Sequence, residues 1–245
     1  SEVEKKVFYA EANYSEDEIN AVLKVLKENR LALMAGSNVK ELEKKVSKLF
    51  NKKYGLMVNS GSSANLLAVK SLNLKKGSKV ITPALTFSTT VSPLVQSNLI
   101  PLFIDVEKET LQINTELLEN IALENVSAIC VPNLIGNIAN WNEIYSFAQA
   151  NNLKVIEDSA DTIGYTVNNK INGKLSDVTT NSFYASHIIN GAGSGGIVCF
   201  NDHKLYQHAK LLRGWGRSSA TINESEKIED RFNIKVSGID YDKKY

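Results

Sequence analysis

The alternation of apolar and polar positions divides the chain at Tyr54. Before this point apolar residues recur at helical spacing. Ser15 and Glu18 form a capping box, which predicts a helix start, and the helical pattern is interrupted at Gly36 before a second helix begins. The residues predicted to face inward are Ile19, Val22, Leu23 and Leu26 in the first helix, and Val39, Leu42, Val46 and Leu49 in the second. We therefore interpret residues 1–36 as an N-terminal helical segment.

After Tyr54, short β-type runs alternate with helical stretches. Strands are predicted at residues 55–58, 79–81, 100–104, 128–131, 154–156, 180–184 and 196–200. Helices are predicted at residues 64–71, 90–97, 115–121 and 141–150. This order predicts an α/β fold with a mostly parallel seven-stranded sheet covered by helices. Ligands bind such sheets at the carboxyl ends of the strands, so the residues that follow each strand are the first candidates for function.

The composition narrows the classes of partner. The chain has 245 residues, of which 43% are hydrophobic and 22% charged, and its net charge is +1. This balance gives no reason to expect a nucleic acid or an anionic membrane as a partner. Cys130 and Cys199 both lie in apolar runs, which predicts buried thiols and fits a cytoplasmic protein. No apolar run is long enough to span a bilayer.

The segment NSGSSAN, residues 59–65, follows the first predicted strand and opens a helix. Exposed N–H groups at a helix start, with small hydroxyl residues around Gly61, suit a phosphate group. The same residues also suit an ordinary capped turn without any ligand. The local pattern leaves both interpretations open.

Two further candidates follow the second and fifth predicted strands. Phe87 lies in a turn after Pro83, where its ring either packs in the core or stacks on a ligand. Asp158 lies in the segment IEDSAD, where a carboxylate suits a metal, a ribose, a helix cap or a protonated heterocycle. No His or Cys accompanies these acids at ligand spacing, so a metal is not expected.

The segment NSFYASHIINGAGSGGIVCF, residues 181–200, carries His187 at the end of a predicted strand, followed by a glycine-rich loop. A single His is more often structural than catalytic. The loop is a poor match to a dinucleotide-binding fingerprint, because it precedes a strand and not a helix.

Together, SGSSAN, PALTF, IEDSAD and SFYASH resemble, in order and spacing, the DegT-type sugar aminotransferases, enzymes of nucleotide-sugar metabolism that use pyridoxal phosphate (PLP). The resemblance covers residues 14–245 and implies the aspartate aminotransferase fold, that is, PLP-dependent transferase fold type I. It implies a large cofactor-binding domain over residues 37–217. Residues 218–245 are expected to be a surface loop and the start of a smaller C-terminal domain that is otherwise missing from this chain.

The resemblance also implies roles for individual residues. By their positions in the motifs, Gly61, Ser62 and Ser182 contact the cofactor phosphate, Phe87 stacks on the pyridine ring, and Asp158 pairs with its nitrogen. On the substrate side the corresponding residues are Arg213 and, at a position where relatives often have His, Asn133. Ser194 stands where relatives usually have an acidic residue.

His187 occupies the position at which the family has the lysine that binds the cofactor covalently. This exchange resembles the branch of 4-keto-6-deoxy-sugar 3-dehydratases, such as GDP-4-keto-6-deoxymannose 3-dehydratase. Imidazole cannot form a stable imine but transfers protons near neutral pH. The resemblance therefore implies catalysis by His187, an untethered PLP or pyridoxamine phosphate, and loss of the sugar 3-hydroxyl in deoxysugar synthesis for surface polysaccharide. It also implies a homodimer.

A related dehydrase carries an iron–sulfur cluster, with a Cys-x-Cys pair just after the segment that matches residues 213–217. Here residues 218–221 contain no Cys, and two cysteines cannot supply four thiolates. We therefore expect glutamate as the amine donor and no iron–sulfur cluster. Two alternatives stay open: an aminotransferase that uses another amine, such as Lys170 or Lys174, and a non-catalytic relative that binds a sugar nucleotide. The sequence leaves the nucleotide and the hexose undetermined.

Overall fold

The computed structural model describes residues 6–167, 170–171, 174–216 and 220. Its α-helices are α1 (Glu16–Glu28), α2 (Ser37–Leu49), α3 (Gly61–Ser71), α4 (Ser88–Gln96), α5 (Trp141–Ala150) and α6 (His203–Arg213). Its strands are β1 (Tyr54–Val58), β2 (Lys79–Pro83), β3 (Ile100–Ile104), β4 (Val126–Pro132), β5 (Lys154–Asp158), β6 (Thr166–Val167), β7 (Lys170–Ile171), β8 (Val178–Ser182) and β9 (Gly196–Phe200). Thr115–Asn120 and Leu134–Gly136 form 3-10 helices.

Seven strands form one sheet in the order β1-β9-β8-β5-β4-β2-β3. Strand β9 is antiparallel to β1 and β8, and the other neighbouring pairs are parallel. The predicted α/β fold with a mostly parallel seven-stranded sheet is confirmed. The carboxyl ends of β1, β2, β4, β5 and β8 consequently meet at one edge, together with the first residue of β9. Strands β6 and β7 form a separate hairpin.

Some predicted boundaries are wrong. The strand predicted at residues 180–184 spans Val178–Ser182 instead, because Phe183 leaves the ladder, donates its N–H to the Gly195 carbonyl at 2.8 Å and packs in the core. The stretch predicted as a helix at residues 115–121 is a 3-10 helix. Helix α6 was not predicted, although Asp202 caps it by accepting hydrogen bonds from two backbone N–H groups. Residues 218–245, expected to be a surface loop and the start of a smaller domain, lie outside the described residues apart from Ala220.

The two N-terminal helices are present, but their inward faces were only partly predicted. Ser15 and Glu18 form the expected capping box at the start of α1. In α2, Val46 is buried as expected, whereas Leu49 is 41% exposed and the neighbouring Phe50 is buried in its place. The four apolar residues predicted to face inward from α1 are all exposed: Ile19, Val22, Leu23 and Leu26. None of the described helices is long and apolar enough to cross a membrane.

The sheet separates two layers. Helices α3 and α6 pack on one face together with α4, and helices α2 and α5 lie on the other. Because side chains alternate along a strand, the last two residues of β5 point to opposite layers. Asp158 contacts residues of α3 and α4, and Glu157 contacts Tyr165, Ser176 and Thr179 on the other side.

Lys52 is buried on the same side of the sheet as Glu157. Its Nζ donates hydrogen bonds to the carbonyl oxygen and the hydroxyl of Ser176, and that hydroxyl donates to Glu157 Oε2 at 3.1 Å. Burial lowers the pKa of Lys52 from 10.5 to about 8, an effect that the nearby Glu157 charge opposes. The ammonium form is therefore less stable in the folded protein than in the unfolded chain.

We expect Lys52 to make the stability of the protein increase with pH. Between about pH 8 and pH 10.5 the unfolded chain holds a proton on this lysine that the folded protein does not hold, so the free energy of unfolding rises. Urea unfolding from about pH 7 to about pH 9.5 should show wild type gaining stability relative to Lys52→Met. Lys45→Met, which changes an exposed lysine paired with Glu41, should follow wild type. Equal pH slopes for Lys52→Met and wild type would contradict this expectation.

Candidate active site

The turn between β1 and α3 forms a narrow cradle at the carboxyl edge of the sheet. The Ser60 hydroxyl accepts a hydrogen bond from the Ser63 N–H at 3.1 Å and so caps α3. A Cβ atom added to Gly61 would lie 2.7 Å from the Ser182 Cβ, which excludes any larger residue there. The close approach brings Gly61 beside Ser182, and the first turn of a helix offers N–H groups to an anion. The sequence analysis assigned Gly61 and Ser182 to the same candidate phosphate site, and the structure places the two residues together.

Ser62 and Asn65 connect this cradle to the neighbouring helix α4. The Ser62 hydroxyl donates to Thr89 Oγ1 at 3.0 Å. The Asn65 amide donates to the Thr89 carbonyl at 3.2 Å and accepts a hydrogen bond from Thr180 Oγ1 at 2.6 Å. The starts of α3 and α4 are therefore held against each other and against β8. Sequence reasoning did not identify Asn65, because its partners are distant in the chain.

Asp158 ends β5 and is buried beneath the same two helices. Its Oδ2 accepts hydrogen bonds from Asn65 Nδ2 and Thr90 Oγ1, both at 2.8 Å, and its Oδ1 accepts from the Ala160 N–H at 3.1 Å. Burial raises the pKa of Asp158, and the hydrogen bonds from Thr90 and Asn65 oppose the rise. A carboxylate has about four acceptor positions. Three donors therefore leave Asp158 able to accept another hydrogen bond from a cationic ligand.

Phe87 lies at the entrance to this site. It is the residue before α4, its carbonyl accepts the N–H of Thr90, and the residue is 68% exposed. Thr90 binds Asp158, so Phe87 lies one helical turn from the carboxylate's partner. The exposed ring does not pack in the core, and its face is available to a planar ligand.

The glycine-rich loop closes the other side of the cradle. A Cβ atom added to Gly196 would lie 2.2 Å from the Ser60 carbonyl oxygen, so only glycine permits β9 to start there. Ser194 donates its hydroxyl hydrogen to the Asn59 carbonyl at 2.7 Å. Ser194, which departs from the pattern of relatives, thus ties the loop to the turn after β1.

His187 lies beyond β8 on the segment that leads into this loop. Its backbone N–H donates to the Tyr184 carbonyl at 3.0 Å, and its ring lies edge-on to that of Tyr184. Its Nδ1 is 3.6 Å from Asp161 Oδ1, and its side chain is 22% exposed. Sequence reasoning identified His187 but not Asp161, although IEDSAD contains it.

Asn133 has a different environment from the one expected of a substrate contact. It is 1% exposed. Its amide donates to Ser159 Oγ at 2.9 Å, and its oxygen accepts from the Ala139 N–H and from Trp141 Nε1, at 3.1 and 2.9 Å. These contacts occupy the amide oxygen inside the core on the Glu157 side of the sheet. The structure therefore supports a packing role for Asn133 and gives no support to substrate binding.

Arg213 lies in the last turn of α6. Its guanidinium donates to the Met57 carbonyl at 2.9 Å and to Glu43 Oε1 at 3.3 Å. These contacts join α6 to β1 and α2, so a substrate contact by Arg213 stays a prediction. Within the described residues, no three His, Cys, Asp or Glu side chains are grouped so as to hold a metal ion.

Lysines offer little support for a covalent cofactor link at this site. The buried lysine in the described part of the chain, Lys52, donates to Ser176 on the opposite face of the sheet from Asp158. Lys174 is exposed, and Lys170 lies in the β6–β7 hairpin. None of them follows β8, where His187 lies.

Comparison with known proteins identifies relatives along most of the chain. The sequence profile of the DegT/DnrJ/EryC1/StrS aminotransferase family matches residues 12–240. The chain is 36% identical over 210 residues to a dTDP-4-dehydro-2,6-dideoxy-D-glucose 3-dehydratase of Saccharopolyspora spinosa, covering 82% of this chain and 45% of the relative. It is 34% identical over 244 residues to a GDP-4-keto-6-deoxy-D-mannose 3-dehydratase of Escherichia coli O55:H7, covering 94% and 62%.

A solved structure resembles this one closely. It is a GDP-4-keto-6-deoxymannose-3-dehydratase with a trapped PLP–glutamate geminal diamine, with a TM-score of 0.82 and 30% identity. The match covers 91% of this chain and 60% of that one. The chain thus spans about half to three fifths of the length of the proteins that it matches.

We expect the adjacent carboxylates of β5 to have separable roles. Asp158→Asn removes the charge that faces the cradle and should weaken binding of pyridoxamine phosphate by about 10- to 100-fold, the effect of one charge-assisted hydrogen bond. Glu157→Gln disturbs the buried network on the other face and should lower the unfolding temperature while leaving the affinity near that of wild type. Fluorescence titration and thermal unfolding of both variants measure the two effects. Equal losses of affinity in the two variants would contradict this assignment.

Proposed function

Because the chain belongs to the DegT/DnrJ/EryC1/StrS aminotransferase family, we propose that it is a PLP- or pyridoxamine-phosphate-dependent 3-dehydratase of a nucleotide-linked 4-keto-6-deoxyhexose. The observation that carries the proposal is His187, which follows β8 at the position where the family's cofactor-binding lysine is expected. Two of the relatives described above are named 3-dehydratases of nucleotide-linked deoxy sugars. The proposed role is in deoxysugar synthesis for surface polysaccharide, in the cytoplasm.

The residues at the sheet edge fit the cofactor. The start of α3, with Gly61 and Ser62, suits its phosphate, and Ser182 lies beside Gly61. Asp158 retains capacity to accept a hydrogen bond from a protonated pyridine nitrogen, and the exposed Phe87 ring suits its face. When bound, the cofactor supplies the electron sink needed to expel a hydroxyl from the sugar.

In the proposed reaction His187 moves the proton. Its imidazole accepts a proton from the reacting carbon and donates a proton to the hydroxyl that leaves the sugar. General acid–base catalysis of this kind makes a reaction about 10²- to 10⁴-fold faster. Nδ1 faces Asp161, so Nε2 is the nitrogen directed to this exchange. Asp158 would pair with the protonated pyridine nitrogen of the cofactor, and the start of α3 would hold its phosphate. The protein thereby orients the reacting groups without a covalent link.

We further propose glutamate as the amine donor, no iron–sulfur cluster and a homodimeric enzyme. The solved relative with a trapped PLP–glutamate adduct supports glutamate. Cys130 and Cys199 are both buried core residues, and burial raises the pKa of each thiol. Thiols of this kind are poor cluster ligands, because a cluster requires thiolates.

The direct test is product mass. The purified protein is incubated with PLP, glutamate and a panel of GDP-, CDP- and dTDP-linked 4-keto-6-deoxyhexoses. Loss of a hydroxyl without gain of nitrogen establishes the dehydratase and identifies its sugar. Gain of an amine would make the protein an aminotransferase, and absence of any product with cofactor bound would favour a non-catalytic sugar-nucleotide-binding protein.

We expect His187→Lys to convert the cofactor site from untethered to covalent. A lysine amine in reach of the PLP aldehyde should bond to it, so that borohydride reduction adds the cofactor mass to the peptide containing residue 187. Dehydration should fall by about 10²-fold or more, because the proton carrier is lost. His203→Lys, at the start of α6, serves as the matched control and should gain no cofactor mass. An unmodified residue 187 would show that His187 does not lie beside the cofactor.

A further inference from the structure

Asp161 brings a second carboxylate to the site, on the turn that follows β5. Its Oδ1 lies 3.6 Å from His187 Nδ1, and the two side chains are 37% and 22% exposed. We propose that Asp161 is the positioning residue of His187: it holds the neutral imidazole as the Nδ1–H tautomer and leaves Nε2 as the nitrogen that exchanges protons. This inference rests on the proposed function, because it assigns a partner to the proposed proton carrier.

The carboxylate of Asp161 is fixed from its other oxygen. Oδ2 accepts the Ile135 N–H at 3.0 Å. Ile135 has a φ of +54°, in the left-handed region that a β-branched residue rarely adopts. Such backbone strain persists only where surrounding contacts hold it, and it clusters at functional sites. The loop after β4 thus keeps one oxygen of Asp161 engaged and leaves Oδ1 facing His187.

The backbone beneath Asp161 is also held rigidly. Asn181, which is buried, donates from its amide to the carbonyl oxygens of Ser159 and Thr162, at 2.5 and 2.9 Å. The Thr162 N–H closes the turn by donating to the Ser159 carbonyl at 3.1 Å. Asn181 belongs to β8, the strand that leads to His187. The same strand therefore holds the turn that carries Asp161 and leads into the segment that carries His187.

The 3.6 Å between Asp161 Oδ1 and His187 Nδ1 is longer than a hydrogen bond. A normal N–H···O hydrogen bond needs the two atoms about half an ångström closer. Catalytic hydrogen bonds are often long in unliganded sites and shorten on loading. The Tyr184 ring lies edge-on to the imidazole, with the two ring centroids 6.2 Å apart. A carboxylate opposite Nδ1 selects the tautomer with the proton on that nitrogen.

Nitrogen-15 NMR of the cofactor-free protein, labelled at histidine, tests the tautomer directly. The His187 signals are those that disappear in His187→Asn. We expect the Nδ1–H tautomer in wild type, a shift toward Nε2–H in Asp161→Ala, and recovery of Nδ1–H in Asp161→Glu. Glu41→Ala removes an exposed carboxylate that pairs with Lys45 and should leave the spectrum unchanged. The same His187 tautomer in wild type and Asp161→Ala would overturn the proposal.

Kinetics of the loaded enzyme provide a second readout. Asp161→Ala should lower kcat by about 10- to 100-fold, the size found for residues that orient another functional group, with little change in KM for the sugar. A matching loss of thermal stability with an unchanged tautomer would show a structural role only and overturn the proposal. If wild type dehydrates no sugar, the proposed function fails, and the NMR result still decides the Asp161–His187 pair.

Discussion

The candidate site depends on one buried carboxylate. Asp158 is enclosed by two helices and a strand, and burial raises its pKa, so its charge requires donors. Asn65 from α3 and Thr90 from α4 supply them, and Thr180 from β8 fixes the Asn65 amide. The need to stabilise this charge thus holds together the two helix starts and the two strand ends that form the site.

Alternation along β5 gives the two faces of the sheet different functions. Glu157 accepts hydrogen bonds from five side chains: Asn133, Ser159, Tyr165, Ser176 and Thr179. Its acceptor capacity is filled, so Glu157 is the centre of a closed, buried polar network on this face. Asp158, one residue later, has three donors and can still accept another. The difference explains why one carboxylate suits a structural network and the other suits a ligand.

The sheet and most site positions were predictable because their signals are local. A short apolar run followed by SGSSAN or IEDSAD shows both a strand and the residues at its carboxyl end. What the sequence did not show were contacts between distant segments. Strand β8 ends earlier than the aromatic pattern of the sequence predicted, because Phe183 packs in the core. Asn133 is buried, and its oxygen accepts a hydrogen bond from Trp141. Asp161 was visible in a motif, but its proximity to His187 follows only from the order of strands β5 and β8.

The exchange of a covalent lysine for His187 changes what the rest of the site must do. A lysine bonded to the cofactor would hold it in place even where other contacts are weak. Under the proposed function that bond is absent, so position must come from the helix start at Gly61, the charge of Asp158 and the face of Phe87. Proton transfer also depends on geometry, because imidazole must present one nitrogen at hydrogen-bond reach. The turn that carries Asp161 provides that constraint, because Asn181 of β8 holds its backbone and Asp161 Oδ1 lies 3.6 Å from His187 Nδ1.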